Sequence, residues 1–148
     1  MSNEVKRREF LLTGSTVLAA GLFLSVPRAR AAEADMHVFT VKDPANKTLL
    51  EQKHVPVIEV PESITKGVPF PVTVTVGEVI HPMTKEHYID YVELYVDGKR
   101  AGKATLTPGQ NAPKVTFFIA LEGPATLKAR EFCNLHGLWE ETRQVAVG

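Results

Sequence analysis

From residue 55 onward, apolar and polar positions alternate in short runs separated by Pro, Gly, Asn and Asp. "PVTVTVGEV" (71–79) places β-branched side chains at every second position, the period of a half-buried strand. "YIDYVELYV" (88–96) sets Ile89, Tyr91, Glu93 and Tyr95 on one face against Tyr88, Asp90, Val92, Leu94 and Val96 on the other. Asp97-Gly98 follows directly and reads as a hairpin turn into "KRAGKATL" (99–106). "VPVIEV" (55–60), "VTFFIAL" (115–121), "ATLKAREF" (125–132) and "WEETRQVAV" (139–147) complete the set. No segment carries ten residues of clean helical periodicity. The pattern predicts an all-β fold, an immunoglobulin-like antiparallel β-sandwich of about seven strands.

The N-terminal third reads differently. "KRREF" (6–10) precedes the apolar run 11–26, and "PRARAA" offers a small-x-small site at Ala29-Arg30-Ala31. A basic segment, a short apolar core and an Ala-x-Ala site predict a signal peptide over 1–31. Arg7-Arg8 with Glu9-Phe10-Leu11 resembles the twin-arginine motif of export signals, which implies export of an already folded protein to the periplasm. The 16 apolar residues fall short of the roughly 20 that span a bilayer, although an uncleaved anchor is the competing reading. Residues 32–53 read as an irregular N-terminal arm and 54–148 as the sandwich domain.

Charge narrows the partners. The chain has 17 basic and 17 acidic residues, but the first 31 hold five basic and two acidic ones. What remains has 12 and 15, a net charge near −3. That balance lacks the basic stripe of a nucleic-acid binder.

The candidate chemistry lies in one cysteine and five histidines. A single cysteine makes no internal disulfide, and a free thiol in an oxidising compartment calls for burial or ligation. Cys133 sits three residues before His136 in "EFCNLHGLWE" (131–140). His54, His81, His87 and His136 fall at strand ends or in loops, where metal ligands are commonly held on a rigid sheet. Imidazole and thiolate together suit iron, copper or zinc. His37 lies outside every such segment and reads as a surface residue of the arm. Each short motif is weak alone: Cys-x-x-His is more often a buried thiol beside a surface ring.

Taken together, "KHVPVIEV" (53–60), "HPMTKEHYI" (81–89) and "CNLHGLW" (133–139) resemble the iron-site segments of superoxide reductases, the desulfoferrodoxin/neelaredoxin family. The resemblance implies one mononuclear non-haem iron per chain, cycling between ferrous and ferric. It implies His54, His81, His87 and His136 as equatorial ligands, with Cys133 as the axial thiolate. It implies one-electron reduction of superoxide to hydrogen peroxide, with Lys53 attracting the anion and helping to deliver a proton. An external electron donor, a rubredoxin-like or other redox carrier, must supply the electron, because one cysteine cannot build a second four-cysteine iron domain. A homo-oligomer, dimer or tetramer, is also implied, as are Leu135 and His136 amides hydrogen-bonded to the thiolate.

One departure stands out. Where the family commonly has a ferric-ligating glutamate directly before the lysine, this chain has Gln52, with Glu51 one residue further out. Either Glu51 reaches the metal through a shifted loop, or the oxidised site takes water or hydroxide; the second is the expectation. Pro56 and Pro82 are expected to stiffen the ligand loops, Met83 to pack, and Trp139 to lie beneath the site and shield the Cys133 sulfur.

The competing classes are weaker. A cupredoxin-like copper carrier needs one upstream histidine and usually a methionine after the last one, and none follows His136. An exported iron carrier without reductase activity and a binding module with incidental histidines also compete. A cysteine hydrolase lacks any visible oxyanion site or orienting acid.

Overall fold

The computed structural model describes residues 36–148; the expected signal peptide over 1–31 lies outside them. Eight strands and one short helix follow in the order β1 (Val38–Phe39), α1 (Leu49–His54), β2 (Pro56–Glu59), β3 (Phe70–Val76), β4 (Ile89–Val96), β5 (Lys99–Thr105), β6 (Lys114–Ile119), β7 (Ala125–Cys133) and β8 (Gly137–Val145). They form a five-stranded sheet in the order β1-β8-β7-β4-β5 and a three-stranded sheet in the order β2-β3-β6. All pairings are antiparallel except β1 with β8, which is parallel. The fold is the predicted all-β sandwich.

The alternation read from the sequence is what closes the core. Val72, Val74 and Val76 of β3 are fully buried, facing Val92 and Leu94 of β4 and Leu127 and Ala129 of β7. Burying each such side chain contributes about 1.5–3 kcal/mol before chain entropy is counted. On β7 every second residue from Ala125 to Cys133 faces inward, so strand periodicity alone carries the Cys133 thiol into the core.

Two features escape a period-two reading. Register shifts between Ile89 and Tyr91, where Ile89 pairs with Cys133 and Tyr91 with Phe132. A bulge of this kind reverses the facing of a strand end, so Ile89 joins the core cluster instead of sharing the face of Tyr91 and Glu93. The second concerns 32–53, expected to be irregular. Its described part supplies β1 and α1. Thr48 caps α1, its side chain accepting from the Glu51 amide while the Glu51 carboxylate accepts from the Thr48 amide. This reciprocal capping box satisfies two otherwise free amides, which lets a helix of six residues form without helical periodicity.

No helix among the described residues is long and apolar enough to cross a membrane.

Candidate metal centre

Three segments converge at one end of the sandwich: the end of α1, the loop from Gly77 to Tyr88, and the turn joining β7 to β8. Gly77 makes the first approach possible. Its φ is +86°, and a β-carbon there would lie 2.6 Å from the Lys53 carbonyl and 2.4 Å from that of Val79. Asn134 ties the other two segments. Its side chain accepts from the Tyr88 amide at 2.9 Å and donates to the Glu86 carbonyl at 2.9 Å. Sequence reasoning passed over this residue, whose only signal was an amide beside the cysteine.

The four histidines stand in a ring. Neighbouring imidazoles meet edge to face: His54–His81 at 4.7 Å, His81–His87 at 4.4 Å, His87–His136 at 4.9 Å and His136–His54 at 4.7 Å between centroids, with interplanar angles of 68–80°. Across the ring, His54 and His87 are closer to parallel, 6.0 Å apart at 30°. The Cys133 sulfur lies 3.5 Å from His81 Nε2 and 3.6 Å from His136 Nδ1. Those two rings are diagonal members of the square, so the sulfur covers one of its faces.

Hydrogen bonding fixes which nitrogens point inward. His54 Nδ1 donates to the Leu50 carbonyl at 2.7 Å, and His81 Nδ1 donates to the Pro82 carbonyl at 2.6 Å. A carbonyl only accepts, so the proton of each neutral ring sits on Nδ1 and the lone pair on Nε2. Burial holds both rings neutral, pushing His81 down to about 4 and His54 in the same direction. Yet their Nε2 atoms face each other at 3.2 Å. Two lone pairs at that distance repel unless a cation shares them. Nitrogens bound at right angles to one ion at roughly 2.1 Å sit about 3.0 Å apart, close to the spacing seen. His87 Nε2 is buried and has no hydrogen-bond partner among the described residues. Donor atoms of His54, His81, His87 and Cys133 all lie within 4.8 Å of one another. This donor set fits one transition-metal ion.

The thiol has opposing influences. Burial raises its pKa, the amides of Leu135 and His136 lower it, and the Glu131 carboxyl raises it. Those two amides were expected from the resemblance. Glu131, which sequence reasoning missed, is fully buried two residues before Cys133, with neither oxygen hydrogen-bonded among the described residues. Burial raises its pKa far above the usual carboxylate range.

The remaining residues fall into place around this ring. Burial is the main cause that lowers His54 and His87, and the positive charge of Lys53 adds to it at both rings. Glu51 is turned away: one carboxylate oxygen accepts from the Lys42 amide at 3.0 Å, the other from the amide and hydroxyl of Thr48 at 2.8 Å. The Gln52 side chain donates to the Lys47 carbonyl. Neither points a donor at the histidines. The Met83 sulfur accepts from the Ile89 amide at 3.4 Å and packs on the core. Trp139 is buried, but it stacks on the His54 ring at 5.3 Å and 25°, while its indole N–H donates to the His136 carbonyl. His37 is exposed.

Fold and site together define an imidazole–thiolate metal protein on a β-sandwich. The family described as desulfoferrodoxin matches residues 46–142, and the chain belongs to it. A neelaredoxin from Megalodesulfovibrio gigas is 34% identical over 115 residues, 65% of this chain and 88% of that protein. A superoxide reductase from Pyrococcus abyssi is 38% identical over 104 residues, 64% and 88% of the two chains. The solved superoxide reductase (neelaredoxin) from Ignicoccus hospitalis is similar with a TM-score of 0.66 and 34% identity, covering 75% of this chain and 95% of that one.

Proposed function

We propose that this chain is a superoxide reductase, taking superoxide, one electron and two protons to hydrogen peroxide. The observation that carries the reading is the square of four imidazoles with a thiolate over one face, in a chain of the desulfoferrodoxin family. In this reading His54, His81, His87 and His136 would hold a single iron together with the Cys133 thiolate. Iron bound there would supply the one-electron couple and a coordination position for superoxide. The protein does the rest. Leu50 and Pro82 carbonyls hold the imidazole tautomers, the usual outer support of a ligating histidine. Amides of Leu135 and His136 hold the sulfur and temper its negative charge. Lys53 attracts the small anion by its charge and offers a proton through water.

Around this site the full reading places an exported protein with a twin-arginine signal over 1–31, an arm over 32–53 and the iron domain over 54–148. It works as a homo-oligomer fed by an external one-electron carrier. An iron carrier without reductase activity would bind the metal equally well, so product stoichiometry decides. Reduced protein given superoxide is expected to yield one peroxide per superoxide and no dioxygen. Dioxygen release at half that peroxide yield, or no consumption, would overturn the assignment.

A further inference from the structure

Four aromatic rings run in contact from the site to the surface. The His54 imidazole stacks on Trp139 at 5.3 Å and 25°, Trp139 stacks on Phe39 at 5.1 Å and 26°, and Phe39 meets His37 edge to face at 4.5 Å. These are favourable geometries for aromatic pairs. Exposure grades outward along the line, from buried His54 and Trp139 to Phe39, 38% exposed, and exposed His37. The contact between the middle rings is built into the sheet, since Phe39 and Trp139 are register partners in the parallel β1–β8 pairing. Gly137 lies beside it with a φ of +79°, a conformation that favours glycine, and a β-carbon there would stand in ordinary contact with the Phe39 ring at 3.4 Å. Both outer rings precede the segment that matches the family, 46–142.

We infer that His37, Phe39 and Trp139 form the electron-entry line to the metal centre. The inference rests on the functional reading above, which requires an outside donor, and names the route. A one-electron carrier protein reaching the β1 edge gives up one electron. Ferric iron becomes ferrous, and no proton moves in this leg. Electron tunnelling weakens steeply with each gap between groups, and a line of rings in van der Waals contact leaves no such gap between the surface and His54. Trp139 and Phe39 are positioning residues for this transfer.

The test uses a ruthenium bis-bipyridyl complex coordinated to the His37 imidazole of the full chain. In the zinc-loaded chain, where the site is redox-inert, flash oxidation of the ruthenium is expected to draw an electron from Trp139, seen as indole radical absorption. Phe39→Leu, a change at a partly exposed ring that opens a gap between His37 and Trp139, is expected to slow this several-fold. In the ferric iron-loaded chain, electron injection from the flash-reduced ruthenium is expected to slow similarly in Trp139→Leu. Phe118→Leu, at an exposed ring of β6 far along the chain from the line, is expected to leave both rates unchanged. Equal radical formation in Phe39→Leu and the parent chain overturns the inference, as does ferric reduction untouched by Trp139→Leu. Iron uptake separates the two claims. A chain that takes up no iron yet still oxidises Trp139 quickly overturns the functional reading, and with it the role given to the line.

Discussion

The Nε2 atoms of His54 and His81 face each other at 3.2 Å while each ring's Nδ1 is committed to a carbonyl. Neutral rings in that arrangement share no proton. The pair is organised for a cation, and the folded chain is preorganised to receive one. Because binding is then linked to folding, metal stabilises the protein by mass action. Iron loaded anaerobically is expected to raise Tm. His81→Ala is expected to abolish that rise while leaving a folded metal-free chain. Calorimetry with and without ferrous ion checks both, and an equal rise in the variant contradicts the assignment.

Acid acts on the same pair. Burial lowers the His81 pKa from 6.5 to about 4, so between those values the unfolded chain binds the proton and the folded one does not. Stability from this group is present above pH 6.5 and falls as pH drops toward 4. The metal-free chain should therefore lose stability on going from about pH 7 to about pH 5, and the loss should be smaller in His81→Ala. Iron should stay bound well below pH 6.5, because the lone pairs remain free. Denaturant unfolding at stepped pH, with iron content at each step, measures both effects.

Glu131 has the opposite sign. Its folded-state pKa is raised by burial, so the stability it contributes is full below its unfolded value near 4.5 and is lost as pH rises above it. Glu131→Gln keeps the shape and removes the charge. Its stability advantage over the parent should grow with pH above 4.5 in thermal melts of the metal-free chain. A difference that stays constant with pH would show that the carboxyl is not held protonated by its surroundings.

Glu51 and Gln52 bear on the question raised by the missing glutamate. With both Glu51 oxygens held by Lys42 and Thr48, Glu51→Gln should leave the ferric spectrum unchanged. Thr48→Ala, which removes the helix cap, should cost about 1 kcal/mol of stability. Gln52→Glu should leave the rate of superoxide consumption little changed, and a many-fold increase would mean that a carboxylate on this face promotes turnover. Stopped-flow kinetics and ferric absorption spectra read these outcomes.

Lys53 should act through its charge. Lys53→Ala is expected to slow superoxide capture by about tenfold at low salt, with the gap closing as ionic strength passes about 0.15 M, where screening acts over roughly 8 Å. Pulse-radiolysis rates across a salt series test this. A deficit independent of salt would assign Lys53 a role other than attraction.

Most of the strands were legible because period-two alternation survives wherever one face is buried, as along β3 and β7. The departures have local causes. The bulge near Asp90 changes which face Ile89 joins without altering composition. Helix α1 depends on a side-chain cap between Thr48 and Glu51, which no hydrophobic period records. At the site, the histidines and Cys133 were legible as motifs, but their ring-to-ring order depends on long-range pairing that spacing does not encode. Glu131 drew no reading, because a buried carboxyl and an exposed one look alike in sequence. Trp139 was expected to lie beneath the site; it is buried there, and its stacking on His54 is a ring-to-ring contact that spacing does not encode.

The central claim is that four imidazoles and one thiolate hold a single iron, and its most direct test is the visible spectrum of the oxidised protein beside Cys133→Ser. Titration with ferrous ion under anaerobic conditions should saturate at one iron per chain. Oxidation should then produce a broad thiolate-to-ferric charge-transfer band that is missing from the variant. A band that survives Cys133→Ser unchanged, or a parent chain that takes up iron without developing one, would contradict the claim.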